Sequence, residues 1–131
     1  MPKHITLALV ITKPGHLWNG LQSLLQTIPQ IEIIAEAQDP SVLLKMSNEI
    51  HPELIFIDAS IFDETNWTSI TKIKAEWPRT KIVVLTENDP QQQSAQDAGA
   101  DIVLPKGFPA AKLVNLIEDT LIQNSQDETN L

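Results

Sequence analysis

Leu54-Ile55-Phe56-Ile57 runs straight into Asp58, so that four strand-forming apolar residues end on a single carboxylate. An unbroken apolar run of this length suits a strand buried on both faces, as in a parallel sheet covered by helices on each side. In such sheets ligands and chemistry gather outside the carboxyl ends of the strands, which is where the sequence puts Asp58. The same residue has a plainer use, as the cap of the turn that follows it. The strand alone leaves both uses open.

The flanking chain supplies the rest of such a sheet. Ile5 to Ile11 reads as a first strand that breaks at Thr12-Lys13-Pro14-Gly15. Leu17, Leu21, Leu24, Leu25 and Ile28 then form an apolar stripe at helical spacing, closed by Pro29. Ile31 to Ile34 is a short second strand, and Asp39-Pro40 gives a cap and a first-turn proline for a helix carrying Val42, Leu43, Met46 and Ile50. His51-Pro52 stops that helix before the central strand. After Asp58, a loop from Ala59 to Asn66 leads into a helix with the stripe Trp67, Ile70, Ile73 and Trp77, and Lys81 to Thr86 is a fourth strand. Asn88 to Ala98 has only Ala95 and Ala98 as apolar residues, so a short or irregular helix is expected there, with Gly99 as its stop. Ile102-Val103-Leu104, ending at Pro105-Lys106, is a fifth strand, and Leu113, Leu116, Ile117 and Leu121 mark a last amphipathic helix.

Strand and helix alternate five times, which implies an α/β fold with a parallel sheet between two helical layers. Asp58, Thr86 and Lys106 fall at the ends of the third, fourth and fifth strands. At 131 residues this is one domain, over 1–122, with a polar acidic tail or linker start at 123–131. The absence of cysteine removes disulfides, zinc–thiolate sites and thiol catalysis. A net charge of -8 argues against nucleic acid as a partner of this domain, because phosphate contacts need clustered Lys and Arg. No apolar run approaches membrane-spanning length, and Met1 to Ile11 has no small-residue cleavage site, so a cytoplasmic location without membrane contact is expected. His4, His16 and His51 have no metal-ligand spacing. Trp67 and Trp77 are expected in the core, whereas Trp18 lies beside its helix stripe and is a candidate contact residue. Glu118, Asp119, Asp127 and Glu128 read as a solvated acidic end.

Residues 5 to about 122 resemble the receiver domain of two-component response regulators, closest to those preceding LuxR/NarL-type DNA-binding domains. The likeness rests on His51-Pro52-Glu53-Leu54-Ile55-Phe56-Ile57-Asp58, on Ile82-Val83-Val84-Leu85-Thr86, and on Gly99-Ala100-Asp101 followed by Lys106. It implies a flavodoxin-like fold, five parallel strands in the order 2-1-3-4-5. It also implies that Asp58 stands at the phosphoacceptor position, Thr86 and Lys106 at the phosphate-contact positions, and a Mg²⁺-binding acidic pair just after the first strand.

That acidic pair is missing. Its places fall on Thr12 and Lys13, and no carboxylate occurs from residue 1 to 31. Val103 stands where the family usually has an aromatic residue, Glu87 follows Thr86 where a small residue is usual, and Pro105 precedes Lys106 rather than following it. The departures together point to a pseudo-receiver that signals by protein contact. It is expected to be no enzyme, to hold no cofactor with Mg²⁺ weak or absent, and to take a protein partner, a second copy of the chain among the candidates. The alternative is a working receiver that takes a phosphoryl group from a histidine kinase on Asp58. Flavin binding would want a Ser/Thr- and Gly-rich loop after the first strand, and Thr12-Lys13-Pro14-Gly15 is a poor one. In the metal's absence Lys13, Lys106 or both are expected to pair with Asp58 and lower its pKa, unless Lys13 extends into solvent and leaves Lys106 as sole partner.

Overall fold

The computed structural model describes residues 5–109 and 111–119. Its five strands form one parallel sheet in the order β2-β1-β3-β4-β5. They are β1 (Thr6–Ile11), β2 (Ile31–Ala37), β3 (Leu54–Asp58), β4 (Lys81–Thr86) and β5 (Ile102–Pro105). Between them lie α1 (His16–Leu25), α2 (Leu43–Ile50), α3 (Trp67–Glu76) and α4 (Asp89–Ala98), and residues 111–119 are helical after β5. The expected flavodoxin-like order is therefore the observed one.

Alternation along the strands builds two cores. Ala8, Val10, Leu54, Phe56, Val83 and Leu85 face α1 and helix 111–119, packing on Leu21, Leu25, Ile28, Leu113 and Ile117. Leu9, Ile11, Ile55, Ile57, Ile82 and Val84 face α2, α3 and α4, packing on Leu43, Ile70, Ile73, Ala95 and Ala98. Every residue of β3 is buried, as its unbroken apolar run requires. Trp67 and Trp77 pack at the margin of the second core and Trp18 at that of the first; all three are half-buried.

Three local expectations need correction. The second strand does not stop at Ile34 but runs to Ala37, because pairing with β1 continues past a bulge that skips Ile34. Asp39 caps a 3-10 turn, Pro40–Val42, and α2 begins only after it. Most clearly, α4 is neither short nor irregular: at ten residues it matches α1 and α3 in length. Polar capping makes up for its thin apolar face. Asn88 Oδ1 accepts from the Gln91 N–H at 2.9 Å, and Gln91 Oε1 accepts from the Glu87 N–H at 2.7 Å. The first bond satisfies a first-turn amide that the helix start would leave orphaned, and the second fastens the residue before the cap to the first turn. At the other end Gly99 adopts the left-handed conformation at φ 103°, and Thr71 Oγ1 donates to the Ala98 carbonyl at 3.0 Å. The expected last helix is described over 111–119; its Leu121 and the tail from Gln123 lie outside the described residues.

Candidate functional site

Register places the site before any side chain is considered. Ile11 is level with Ile57, so Thr12 follows β1 where Asp58 ends β3. Asp58 is level with Leu85 and Thr86 with Pro105, and the Lys106 N–H donates to the Thr86 carbonyl at 2.9 Å. Thr12, Asp58, Thr86 and Lys106 thus share the C-terminal edge of the sheet.

Asp58 is 2% exposed. Its Oδ1 accepts from the Ser60 N–H at 2.9 Å and the Ser60 hydroxyl at 2.7 Å, and it meets Lys106 Nζ at 3.0 Å. Asp58 caps the 3-10 turn Ala59–Ile61, the plainer of the two uses open to it in the sequence, and also forms an ion pair at the strand end. Burial pushes its carboxyl up, but the Ser60 hydroxyl and N–H and the Lys106 ammonium outweigh it, and the group is held below the ordinary value of 3.8. Lys106 has a second partner, Glu87 Oε1 at 2.7 Å. Burial lowers the ammonium, yet Glu87 and Asp58 together raise it above the ordinary value of 10.5.

Thr12, 5% exposed, turns its hydroxyl towards two acceptors, Asp58 Oδ2 at 3.4 Å and the Lys13 carbonyl at 3.3 Å. Thr86 is buried beside the pair without bonding to it; its hydroxyl points to the Leu104 carbonyl at 3.4 Å. Lys13 corrects the expectation placed on it. It is exposed and forms no ion pair among the described residues. Chain alternation is the reason: Thr12 points inward, so its neighbour points out, and a flexible ammonium stays hydrated at little cost. Lys106 is the partner of Asp58.

Ser60 was not among the residues picked out in the sequence, although a signal for it exists. Asp39-Pro40-Ser41 and Asp63-Glu64-Thr65 carry the same acid–any–hydroxyl pattern, and each closes a turn with an N–H to Asp Oδ1 bond of 2.9 Å. Asp58-Ala59-Ser60 is the buried instance.

A parallel sheet in this order, with Asp, Thr and Lys at the ends of the third to fifth strands, defines a receiver-type signalling domain. The response regulator receiver domain family matches residues 9–118, and the chain belongs to it. It is a receiver domain of the two-component type. The response regulator protein VraR of Staphylococcus epidermidis is 28% identical over 103 residues, covering 77% of this chain and 49% of VraR. The chain thus spans about half the length of the curated relatives it matches. Among solved structures, the receiver domain of AraT from Geobacillus stearothermophilus superposes with a TM-score of 0.79 at 18% identity, covering 95% of this chain and 98% of that one. A LuxR-family response regulator from Aurantimonas sp. gives 0.77 at 20%, covering 91% and 86%.

The family implies a divalent cation at this edge, and the side chains here do not fit one. Mg²⁺ asks for oxygen ligands in octahedral array, one or two of them carboxylates. Asp58 is the single buried carboxylate among the described residues; its Oδ1 already takes three donors and its Oδ2 faces a threonine hydroxyl. Among the described residues no group of three or more His, Cys, Asp or Glu is arranged to hold a metal. Among them, too, no helix is long and apolar enough to cross a membrane.

Proposed function

We propose that this receiver domain works as a pseudo-receiver, passing its signal by protein contact without phosphate chemistry and without Mg²⁺. The observation that carries this reading is Thr12 facing Asp58 where an acidic metal ligand would be needed. An acyl phosphate forms between two anions, and the metal's task is to neutralise both. Among the described residues the only cation on Asp58 is Lys106, which Glu87 also holds. The domain is then a binding module rather than an enzyme, with a protein as partner, a second copy of itself included, and no nucleic acid or membrane at its acidic surface. A cytoplasmic location goes with this reading.

Incubation with acetyl phosphate and Mg²⁺, followed by intact mass measurement, tests it. The expected result is no phosphoryl adduct and no saturable Mg²⁺ shift in amide NMR spectra. The double change Thr12→Asp with Lys13→Asp should create metal binding, and Lys13→Ala alone should not. The second reading, a phosphoacceptor, draws on one observation: Asp58, Thr86 and Lys106 share one edge, with Asp58 ionised. A phosphoryl adduct that Asp58→Asn abolishes would establish it.

A further inference from the structure

Beside Asp58, between the start of α1 and the turn after β2, lies an open cleft of about 390 Å³, in the size range of small-molecule sites. Thr12 forms its inner wall, Pro14 and Val42 are apolar sides, and the half-buried Trp18 indole lies along it. Glu36 and Asp39 supply its charge. The bulge in β2 brings Glu36 there: Ile31 and Ile33 pack with the α1 core, Ala35 and Ala37 with the opposite one, so Glu36 returns to the α1 face. Neither Glu36 nor Asp39 forms an ion pair among the described residues, and no Lys, Arg or described His lines the cleft. The Ser41 N–H and hydroxyl hold the Asp39 carboxyl below its ordinary value.

An aromatic ring beside two carboxylates, with no cationic side chain among the described lining residues, is the chemistry that suits an organic ammonium group. We propose that this cleft binds a small organic ammonium cation and that Thr12 carries its occupancy to Asp58. The link is the single Thr12 hydroxyl proton, set between Asp58 Oδ2 and the Lys13 carbonyl at nearly equal distances of 3.4 and 3.3 Å. A ligand against Thr12 favours one acceptor over the other, and so changes the field at the Asp58–Lys106 pair. This input rests on the reading that Asp58 is not operated by phosphate.

Amide NMR titration of the chain with choline and with butylamine tests the proposal, with 3,3-dimethylbutanol as the uncharged counterpart of choline. The expected result is saturable shifts at Thr12, Trp18, Glu36 and, through the hydroxyl, at Ser60 and Lys106, with none from the alcohol. Glu36→Gln, on an exposed residue, should weaken binding about tenfold without disturbing the fold. Thr12→Val should remove the shifts at Ser60 and Lys106 at amine concentrations that still saturate those at Trp18 and Glu36. No saturation by either amine in the millimolar range overturns the site, as does equal binding of the alcohol. Ser60 and Lys106 shifts that persist in Thr12→Val overturn the coupling. Acetyl phosphate labelling of Asp58 alongside intact choline binding would sink the phosphate-independent reading and leave the site standing.

Discussion

Lysine meets aspartate at both ends of this sheet, and the two meetings are built from different partners. Before β4 and β5, Lys74 Nζ reaches the Pro78 and Thr80 carbonyls at 3.0 and 2.8 Å and both oxygens of Asp101 at 3.0 and 3.1 Å. Asp101 Oδ2 in turn accepts from the Ile82 N–H at 2.8 Å. That pair ties α3 to the starts of two strands through their backbones. At the other end Lys106 Nζ holds only side chains, the carboxylates of Asp58 and Glu87. A lysine whose acceptors are main-chain carbonyls fixes the fold, whereas one shared by two carboxylates sets a local charge and can redistribute between them.

Four variants break or sharpen that contrast. Asp101→Ala should cost the most, about 2 kcal/mol in urea unfolding at unchanged m-value, because it leaves the Lys74 ammonium with carbonyl partners but no counter-charge and the Ile82 amide without its acceptor; a loss below about 0.5 kcal/mol would erase the difference between the two ends. Ser60→Ala should cost about 1 kcal/mol and move the Asp58 carboxyl up towards 3.8, read by carboxyl-carbon NMR. Asp58→Asn should cost less than about 1 kcal/mol, since the amide oxygen still accepts from Ser60 and the desolvation of a buried charge disappears.

The same variant separates the pH limbs. Asp58 has a lowered folded pKa, so its contribution is present above the unfolded value of 3.8 and fades as pH falls through the folded one. Lys106 is raised, so its contribution is present below 10.5 and fades as pH rises through its folded value. The difference in stability between wild type and Asp58→Asn should therefore be flat near neutrality and shrink at the extremes, in strong acid as Asp58 protonates and in strong alkali, above 10.5, as Lys106 loses its charge. A difference that varies between pH 5 and 8 contradicts this assignment. Last, Lys13→Ala should leave stability within about 0.5 kcal/mol and the Asp58 titration unmoved; a shifted titration would restore Lys13 to the site.

Much of this was readable along the chain. The apolar run into Asp58, with Thr86 and Lys106 at later strand ends, is a statement about covalent order, and a parallel sheet converts such order into one shared edge. What failed were inferences that needed side-chain direction or polar geometry. The charge of Lys13 points to the site, but one residue's alternation from Thr12 turns it to solvent. Apolar content understates helix α4, whose ends Asn88, Gln91 and Gly99 secure. Ser60 carries no distinguishing mark in the sequence, because an acid–any–hydroxyl turn is common on surfaces and only burial makes this one part of the site.

The skipped residue in β2 has a consequence for self-association. An outer strand offers free amides and carbonyls to any other chain, and addition of a foreign strand is the usual route to ordered aggregates. Because the strand changes face at Ile34, its two exposed glutamates guard opposite sides: Glu32 stands beside Ile31 and Ile33 and so opposite the α1 core, Glu36 on the α1 side. A copy adding along this edge would meet a carboxylate above the sheet and another below it. It would also lose register halfway, since no regular strand matches both halves of a bulged one. One extra residue makes the outer border of the sheet a poor template for its own kind.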